Sequence, residues 1–342
     1  MACAYEPLVN RRGLLLAVIA GLVALFAVPL LSDNDYVLAL GISFAAMSVL
    51  AGGLNLVWGY TGLLSFAQVG LFGIGAYAAV LLVVDLGWSL WAAVAAGAVL
   101  SVTVALLVGY SSLRLSRHAF AIVSLSFALL CAIVARDWPD LTRGSMGIPG
   151  LPPPTLTLPG LRWRIVDPAD YYYLLMGFAV IAHGLIYVVV TSRLGRAMRA
   201  IKLNEPLAQS QGVNPLSYRL LALSLSAALS GIVGGLFVFY LTIIDPSIFD
   251  FYYTETMLIS VVIGGPGSFW GVLASSAVMA ALPDLLRFTT DLRMVLYGVA
   301  LIAAMLVFPG GIGGWLYRRR LARWRRPQAQ SQPQPQQPKA AP

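Results

Sequence analysis

Residues 36–57 read YVLALGISFAAMSVLAGGLNLV, an uninterrupted stretch without a charged side chain. About 20 apolar residues in helical form match the roughly 30 Å thickness of a bilayer's hydrocarbon core, so this run asks for a membrane-spanning helix. Similar runs cover 14–31, 63–84, 88–110, 118–136, 169–191 and 218–242. An apolar segment at 254–286 is interrupted by Gly264, Gly265, Pro266 and Gly267, and a last run covers 294–309. Composition agrees: of 342 residues, 59% are hydrophobic and only 11% charged. A soluble globular protein carries roughly 25% charged residues. A soluble enzyme, a disulfide-rich secreted module and a disordered protein are thereby excluded. The expected fold class is all-α, a polytopic transmembrane helical bundle of about eight to ten spans with broken helices.

The formal net charge of +8 would suit a nucleic-acid binder if it were spread over a surface. It is not: residues 318–342 hold Arg318, Arg319, Arg320, Arg323, Arg325, Arg326 and Lys339 and no acid. A basic run directly after an apolar segment reads as a cytoplasmic anchor at the lipid headgroups, with no nucleic-acid partner implied. Arg11 and Arg12 precede the first run, which is long and lacks a small-x-small cleavage site, so it reads as an uncleaved span.

Orientation follows from sorting the charges. With the N-terminus in the cytoplasm, and with 254–265 and 268–286 as two separate crossings, the chain crosses ten times. Arg11, Arg12, Arg114, Arg117, Arg193, Arg196, Arg199, Lys202, Arg219 and the tail's cations then collect on one side against only Glu6 and Glu205. The other side takes the remaining acids. This is the positive-inside asymmetry, and it puts both termini in the cytoplasm. The segment 254–286 is the doubtful part of this count, since it can also be read as one long kinked crossing, and eight is the lower bound.

The expected organisation is a cytoplasmic tail at 1–13, a membrane domain at 14–309, and a basic, then Gln/Pro-rich, disordered cytoplasmic tail at 310–342. Within the membrane domain an outer loop, 137–168, is rich in Pro and Gly and suits an ordered cap. An inner loop, 192–217, reads as a basic amphipathic helix, a break at Pro206, a second short helix ended by Gly212, and a turn. Such a helix pair suits either a groove in a partner protein or the headgroup layer, through Arg196, Arg199 and Lys202. A shift of 212 positions aligns Ser48-Val49-x-x-Gly52-Gly53-x-x-x-x-Trp58-Gly59 with Ser260-Val261-x-x-Gly264-Gly265-x-x-x-x-Trp270-Gly271, the pattern of a parallel internal repeat.

Chemistry is sparse. No P-loop, His-Glu-x-x-His or Gly-x-Ser-x-Gly motif is present, and Cys3 and Cys131 offer neither a disulfide framework nor metal-ligand spacing. No enzyme activity, metal or cofactor is therefore expected. Polar groups within spans are costly unless they face a bundle interior or a watery path. Asn55, Ser65 and Gln68 flank the break Trp58-Gly59-Tyr60-Thr61-Gly62 and are the candidate path residues, with Gly59, Gly62, Gly264, Gly265 and Gly267 as helix breaks. His183 reads as a neutral helix contact. Every Asp and Glu can be placed near an interface, which disfavours an ion-coupled carrier and favours an external energy source and a neutral or zwitterionic solute.

Four stretches together resemble a known family. They are Gly53-Leu54-Asn55-Leu56 through Gly59-Tyr60-Thr61-Gly62-Leu63-Leu64-Ser65 to Gly73-Ile74-Gly75-Ala76-Tyr77; Leu141-Thr142-Arg143-Gly144-Ser145-Met146-Gly147-Ile148-Pro149-Gly150; Gly195-Arg196-Ala197-Met198-Arg199-Ala200-Ile201 with Glu205, Ala208 and Gly212; and Gly264-Gly265-Pro266-Gly267-Ser268-Phe269-Trp270-Gly271. In this order they resemble the permease subunit of branched-chain amino-acid ABC importers, LivM type. The resemblance implies a multi-pass protein of the bacterial inner membrane that forms a translocation path. ATP would be bound by separate subunits. It implies a second permease subunit, two cytoplasmic ATPase subunits and a periplasmic solute-binding protein as partners. It also makes 192–217 the ATPase-coupling loop, with Arg196, Arg199, Glu205, Ala208 and Gly212 on the matching positions; Pro206 and Leu207 depart from the family pattern. Branched-chain amino acids are the implied cargo, and urea or short amides would suit the same architecture.

Overall fold

The computed structural model describes residues 20–21, 23–30, 34–158, 161–285 and the isolated positions 298, 311 and 314. Of the expected span at 14–31 only 20–21 and 23–30 are described, and the span at 294–309 and both tails lie outside these residues apart from the isolated positions. Helices dominate. α1 (Asp35–Leu54) continues as a π-helical segment, Asn55–Tyr60; α2 (Ala67–Val84), α3 (Leu90–Ser112), α4 (Arg117–Asp137) and α5 (Pro168–Thr191) follow. Two short helices, α6 (Arg193–Leu203) and α7 (Glu205–Ser210), precede α8 (Pro215–Leu241), α9 (Phe251–Gly264) and α10 (Phe269–Leu285). Six of these are long and apolar enough to cross a membrane: α1 with its π segment, α2, α3, α4, α5 and α8.

Local chemistry sets the ends. Asn34, Ser116, Ser192, Asn204 and Asn214 each accept a backbone N–H at the first turn of α1, α4, α6, α7 and α8, satisfying donors that a helix start leaves unpaired. Pro sits in the opening positions of α5, α7 and α8, where its missing N–H costs nothing. This relocates the expected break in the inner loop. The chain bends at Asn204, which is extended and caps α7, and Pro206 lies inside α7.

The core is the trio α2, α3 and α8, joined by α1. Glycines let the backbones touch. A methyl group at Gly75 of α2 would overlap the Gly231 backbone of α8, one at Gly97 of α3 would sit 2.7 Å from Gly75 O, and one at Gly231 would meet Ser101 Oγ at 2.6 Å. Without a hydrophobic drive between helices in lipid, such close approach supplies the dispersion contacts that hold them. α4, by contrast, keeps most of its surface outside the chain's interior, with Ile122, Leu129, Leu130 and Ile133 exposed.

α9 and α10 fold back on each other around Gly265–Ser268; Ser275 Oγ donates to Ser260 O, and Gly264 and Gly271 are in contact. The segment 254–286 is therefore a helical hairpin, not one kinked crossing. The 14 residues of α9 rise only about 21 Å. The hairpin also limits the repeat. Ser48–Gly52 and Ser260–Gly264 are both helical, but Gly53–Gly59 continues its helix while Gly265–Ser268 turns and Phe269–Gly271 opens α10. Gly265 and Gly267 adopt φ of 94° and 93°, and Pro266 between them cannot extend the helix. The same pair of residues, Trp-Gly, thus ends up on a descending element in one copy and a returning one in the other.

At one end of the bundle, residues 137–158 and 161–168 form a cover. β1 (Ile148–Pro149) pairs antiparallel with β4 (Ile243–Ile244), and β2 (Thr155–Leu158) pairs with β3 (Leu161–Arg164). That end carries Asp85, Asp137, Asp140, Asp167, Asp170, Asp245 and Asp250. The opposite, basic end carries Arg114, Arg117, Arg193, Arg196, Arg199, Lys202 and Arg219 with Glu205.

Candidate functional site

The two backbone breaks and the inner loop meet at the basic end. α6 is amphipathic, and Gly195, Met198 and Ile201, one turn apart, face the bundle. Arg199 and Lys202 share the edge of that face. Arg199 Nη2 donates to Val190 O at 2.8 Å and its Nε to Gly195 O at 3.2 Å, capping the end of α5, while its guanidinium lies 5.8 Å from the centre of the Tyr60 ring. Lys202 Nζ donates to Gly59 O at 2.6 Å and to Pro266 O at 3.3 Å. Asn55 completes the junction: its Oδ1 accepts the Gly267 N–H at 2.8 Å and its Nδ2 donates to Ser268 O at 3.4 Å. The π-helical segment widens the helix where Asn55 and Gly59 face the hairpin turn; π segments of this kind recur at functional sites. There is no room for a larger residue, since a methyl group at Gly59 would lie 2.5 Å from Gly267 N. The expected break at 58–62 accordingly begins at Asn55 and ends at Gly62, where φ is 80° and the chain turns toward α2.

Glu205 anchors the second half of the loop. Arg219, buried in the second turn of α8, donates Nη1 to Glu205 Oε1 at 2.9 Å and Nη2 to Oε2 at 2.7 Å, and Arg117 at the start of α4 lies 3.6 Å away. The Arg219 hydrogen bonds, opposed by partial burial and helped by the charges of Arg219 and Arg117, hold the Glu205 carboxyl below its ordinary range. The pKa of the Lys202 ammonium is lowered too, because burial disfavours its charged form.

The expected coupling residues therefore divide. Arg199 and Glu205 turn inward and tie the loop to the bundle, Ala208 is buried beneath α7, Arg196 is exposed, and Gly212 forms an open turn with φ of 79°. Two residues outside that set, Leu203 and Leu207, are 51% and 60% exposed at the outer surface of the helix pair.

The candidate path residues are all buried within the chain. Gln68 Nε2 donates to Ser226 Oγ at 2.7 Å and Ser230 Oγ at 2.6 Å, joining α2 to α8. Asn55 bonds the hairpin turn, and Ser65 Oγ is buried with no hydrogen-bond partner among the described residues. His183 Nδ1 lies 2.8 Å from Ala179 O and its ring packs edge-on against Phe269, a helix contact. Among the described residues no group of three His, Cys, Asp or Glu side chains could hold a metal ion.

The sequence placed Lys202 on a helix suited to either a partner's groove or the headgroups, and used Arg219 only in sorting the charges. The available signals were the i, i+3 spacing of Arg199 and Lys202, and a lone cation in the second turn of an otherwise apolar helix.

Six apolar helices long enough to cross a membrane, a helical hairpin and an ordered surface loop bound to both backbone breaks define a multi-pass helical membrane protein. Residues 36–305 match the family described as branched-chain amino acid transport system / permease component, and the chain belongs to that family. It is 29% identical over 283 residues to the high-affinity branched-chain amino acid transport system permease protein LivM of Salmonella typhimurium, covering 77% of this chain and 67% of the relative. It is 25% identical over 301 residues to LivH of Escherichia coli K12, a permease protein of the same description, covering 80% of this chain and 92% of the relative. No solved structure matches.

Proposed function

We propose that this chain is one path-forming subunit of an ATP-driven, binding-protein-dependent importer of branched-chain or similar small zwitterionic amino acids in the bacterial inner membrane. Its basic end faces the cytoplasm, as the positive-inside asymmetry requires. A second permease subunit completes the path, a periplasmic binding protein docks on the acidic end, and two cytoplasmic ATPase subunits bind and hydrolyse ATP, in keeping with a sequence that carries no P-loop motif. The observation that carries the reading is the α6–α7 pair, which has one side tied to both backbone breaks and the other presenting Leu203 and Leu207 beside Arg196. An exposed apolar pair on a rigid helical element is what a groove in a partner receives. The coupling residues are those of 192–217, with Leu203 and Leu207 as the contact surface.

Replacing Leu207 with Asp tests this. A charge in a desolvated groove should weaken ATPase-subunit association by about thirtyfold, in line with about 2 kcal/mol for an interface anchor. Co-purification of the ATPase with the L207D permease at wild-type yield would rule out this docking surface. Uptake of radiolabelled leucine into proteoliposomes, dependent on the binding protein and ATP, tests the cargo. Uptake that persists without the ATPase subunits and is abolished by an uncoupler would show an ion-coupled carrier instead.

A further inference from the structure

The contact that stands out at the junction is the Lys202 ammonium. It is partly buried, and among the described residues it forms no ion pair; the acid closest in sequence, Glu205, is held by Arg219 and Arg117. Its hydrogen bonds go to two carbonyls, Gly59 O in the last π-helical turn of α1 and Pro266 O in the α9–α10 turn. Carbonyls at a helix end or in a tight turn lack full backbone partners and carry excess negative character, so a Lys donor is a fitting cap. The stem of the side chain lies along Gly62, where an added methyl group would come within 3.1 Å of Lys202 Cγ. One side chain of the surface loop thus joins both backbone breaks, across 143 residues in one direction and 64 in the other.

Such a contact is either made or lost. A slide of α6 by one residue's rise, about 1.5 Å, lengthens hydrogen bonds at 2.6 and 3.3 Å beyond useful range. Among the described residues the hydrogen bonds then left between the π segment and the turn are those of Asn55, and the second of them, at 3.4 Å, is already long. Arg199 moves with the same helix, because it bonds the α5 terminus and lies over Tyr60.

We propose that Lys202 is the positioning residue that couples the loop to the path: it clamps the π-helical end of α1 to the α9–α10 turn while the basic end is closed, and displacement of α6 releases both breaks together. This rests on the reading of 192–217 as the ATPase-coupling loop and adds the residue through which its motion reaches the helices.

Two measurements on Lys202→Met and Lys202→Arg test it. The first is hydrogen–deuterium exchange of the full-length chain in detergent, which requires no cargo or ATPase. In K202M, amide exchange should speed by about tenfold in both 55–62 and 264–268, the loss expected when charge-assisted hydrogen bonds are removed. K202R, which keeps the charge and donors, should stay within about threefold of wild type. The second uses the assembled importer in proteoliposomes and reads solute imported per ATP hydrolysed. K202M should lower that ratio by about tenfold while the ATPase still co-purifies, and K202R should restore most of it. A side chain that only stabilised α6 would raise exchange in 193–203 alone, and that result overturns the proposal. So does an unchanged import-to-hydrolysis ratio in K202M. If the exchange result holds and no branched-chain amino acid is imported by the wild type, the clamp stands and the cargo assignment fails.

Discussion

Gly75→Val should prevent this chain from reaching its folded bundle. The Cβ of any residue at 75 falls on the Gly231 backbone of α8, while Gly97 of α3 packs against the Gly75 backbone itself. A clash against a side chain is relieved by a rotamer change, but a clash against backbone requires the helices to separate. The cost should reach about 3 kcal/mol or more, the upper end for overpacked sites. Folded yield in detergent and the thermal unfolding midpoint are the measurements, with Gly177→Val as the control. A methyl group added at Gly177 of α5 would have nothing within 4 Å of it, so this variant should unfold within a few degrees of wild type. Equal unfolding of the two variants would contradict the three-helix packing.

Removing Arg219 should have the next largest effect. Arg219 is buried and bonds Glu205 through two nitrogens, so Arg219→Ala strips the carboxylate of its main partner and leaves Arg117 at 3.6 Å. Breaking a buried pair costs about 3–5 kcal/mol; because Glu205 is partly wet, about 2–3 kcal/mol is expected here. The pair E205Q/R219M should recover much of that loss, since neither partner is then left charged alone. The pH dependence has a defined sign. Glu205 has a lowered pKa in the folded state, so its contribution is present above the ordinary carboxyl value of 4.5 and is lost as pH falls through the lowered folded value. The wild-type unfolding midpoint should therefore drop more steeply than that of R219A between about pH 5 and pH 3. Parallel curves would show that the Glu205–Arg219 pair contributes no linkage.

The membrane class, the position of almost every described helix and the charge asymmetry of the two ends were legible in the residues. Apolar runs of spanning length are local, and a bilayer imposes one strong rule on each of them separately. The caps Ser192 and Asn214 are equally local, each acting within a few residues of itself. The inner loop was found as a helix pair, although its bend is at Asn204, where a side-chain cap outweighs the following proline. The candidate site was only half legible. Asn55 and Gln68 drew attention because polar groups in apolar runs must have a purpose, but nothing near them in the chain indicates their partners. Gly267 lies 212 residues from Asn55, and Ser226 lies 158 from Gln68.

By itself the sequence determined that this is a polytopic helical membrane protein with a basic end, an acidic end, glycine-rich interruptions and a basic amphipathic loop. Each of these depends on the residues of one segment meeting one solvent. The tertiary structure alone decided that Lys202 would bond the two interruptions, that Arg219 would take up Glu205, that the twelve-residue repeat would diverge after Gly52 and Gly264, and that Leu203 and Leu207 would remain uncovered. Those outcomes depend on which glycine faces let which helices approach, and helix-to-helix packing in an apolar medium leaves no periodic trace in the composition of either partner.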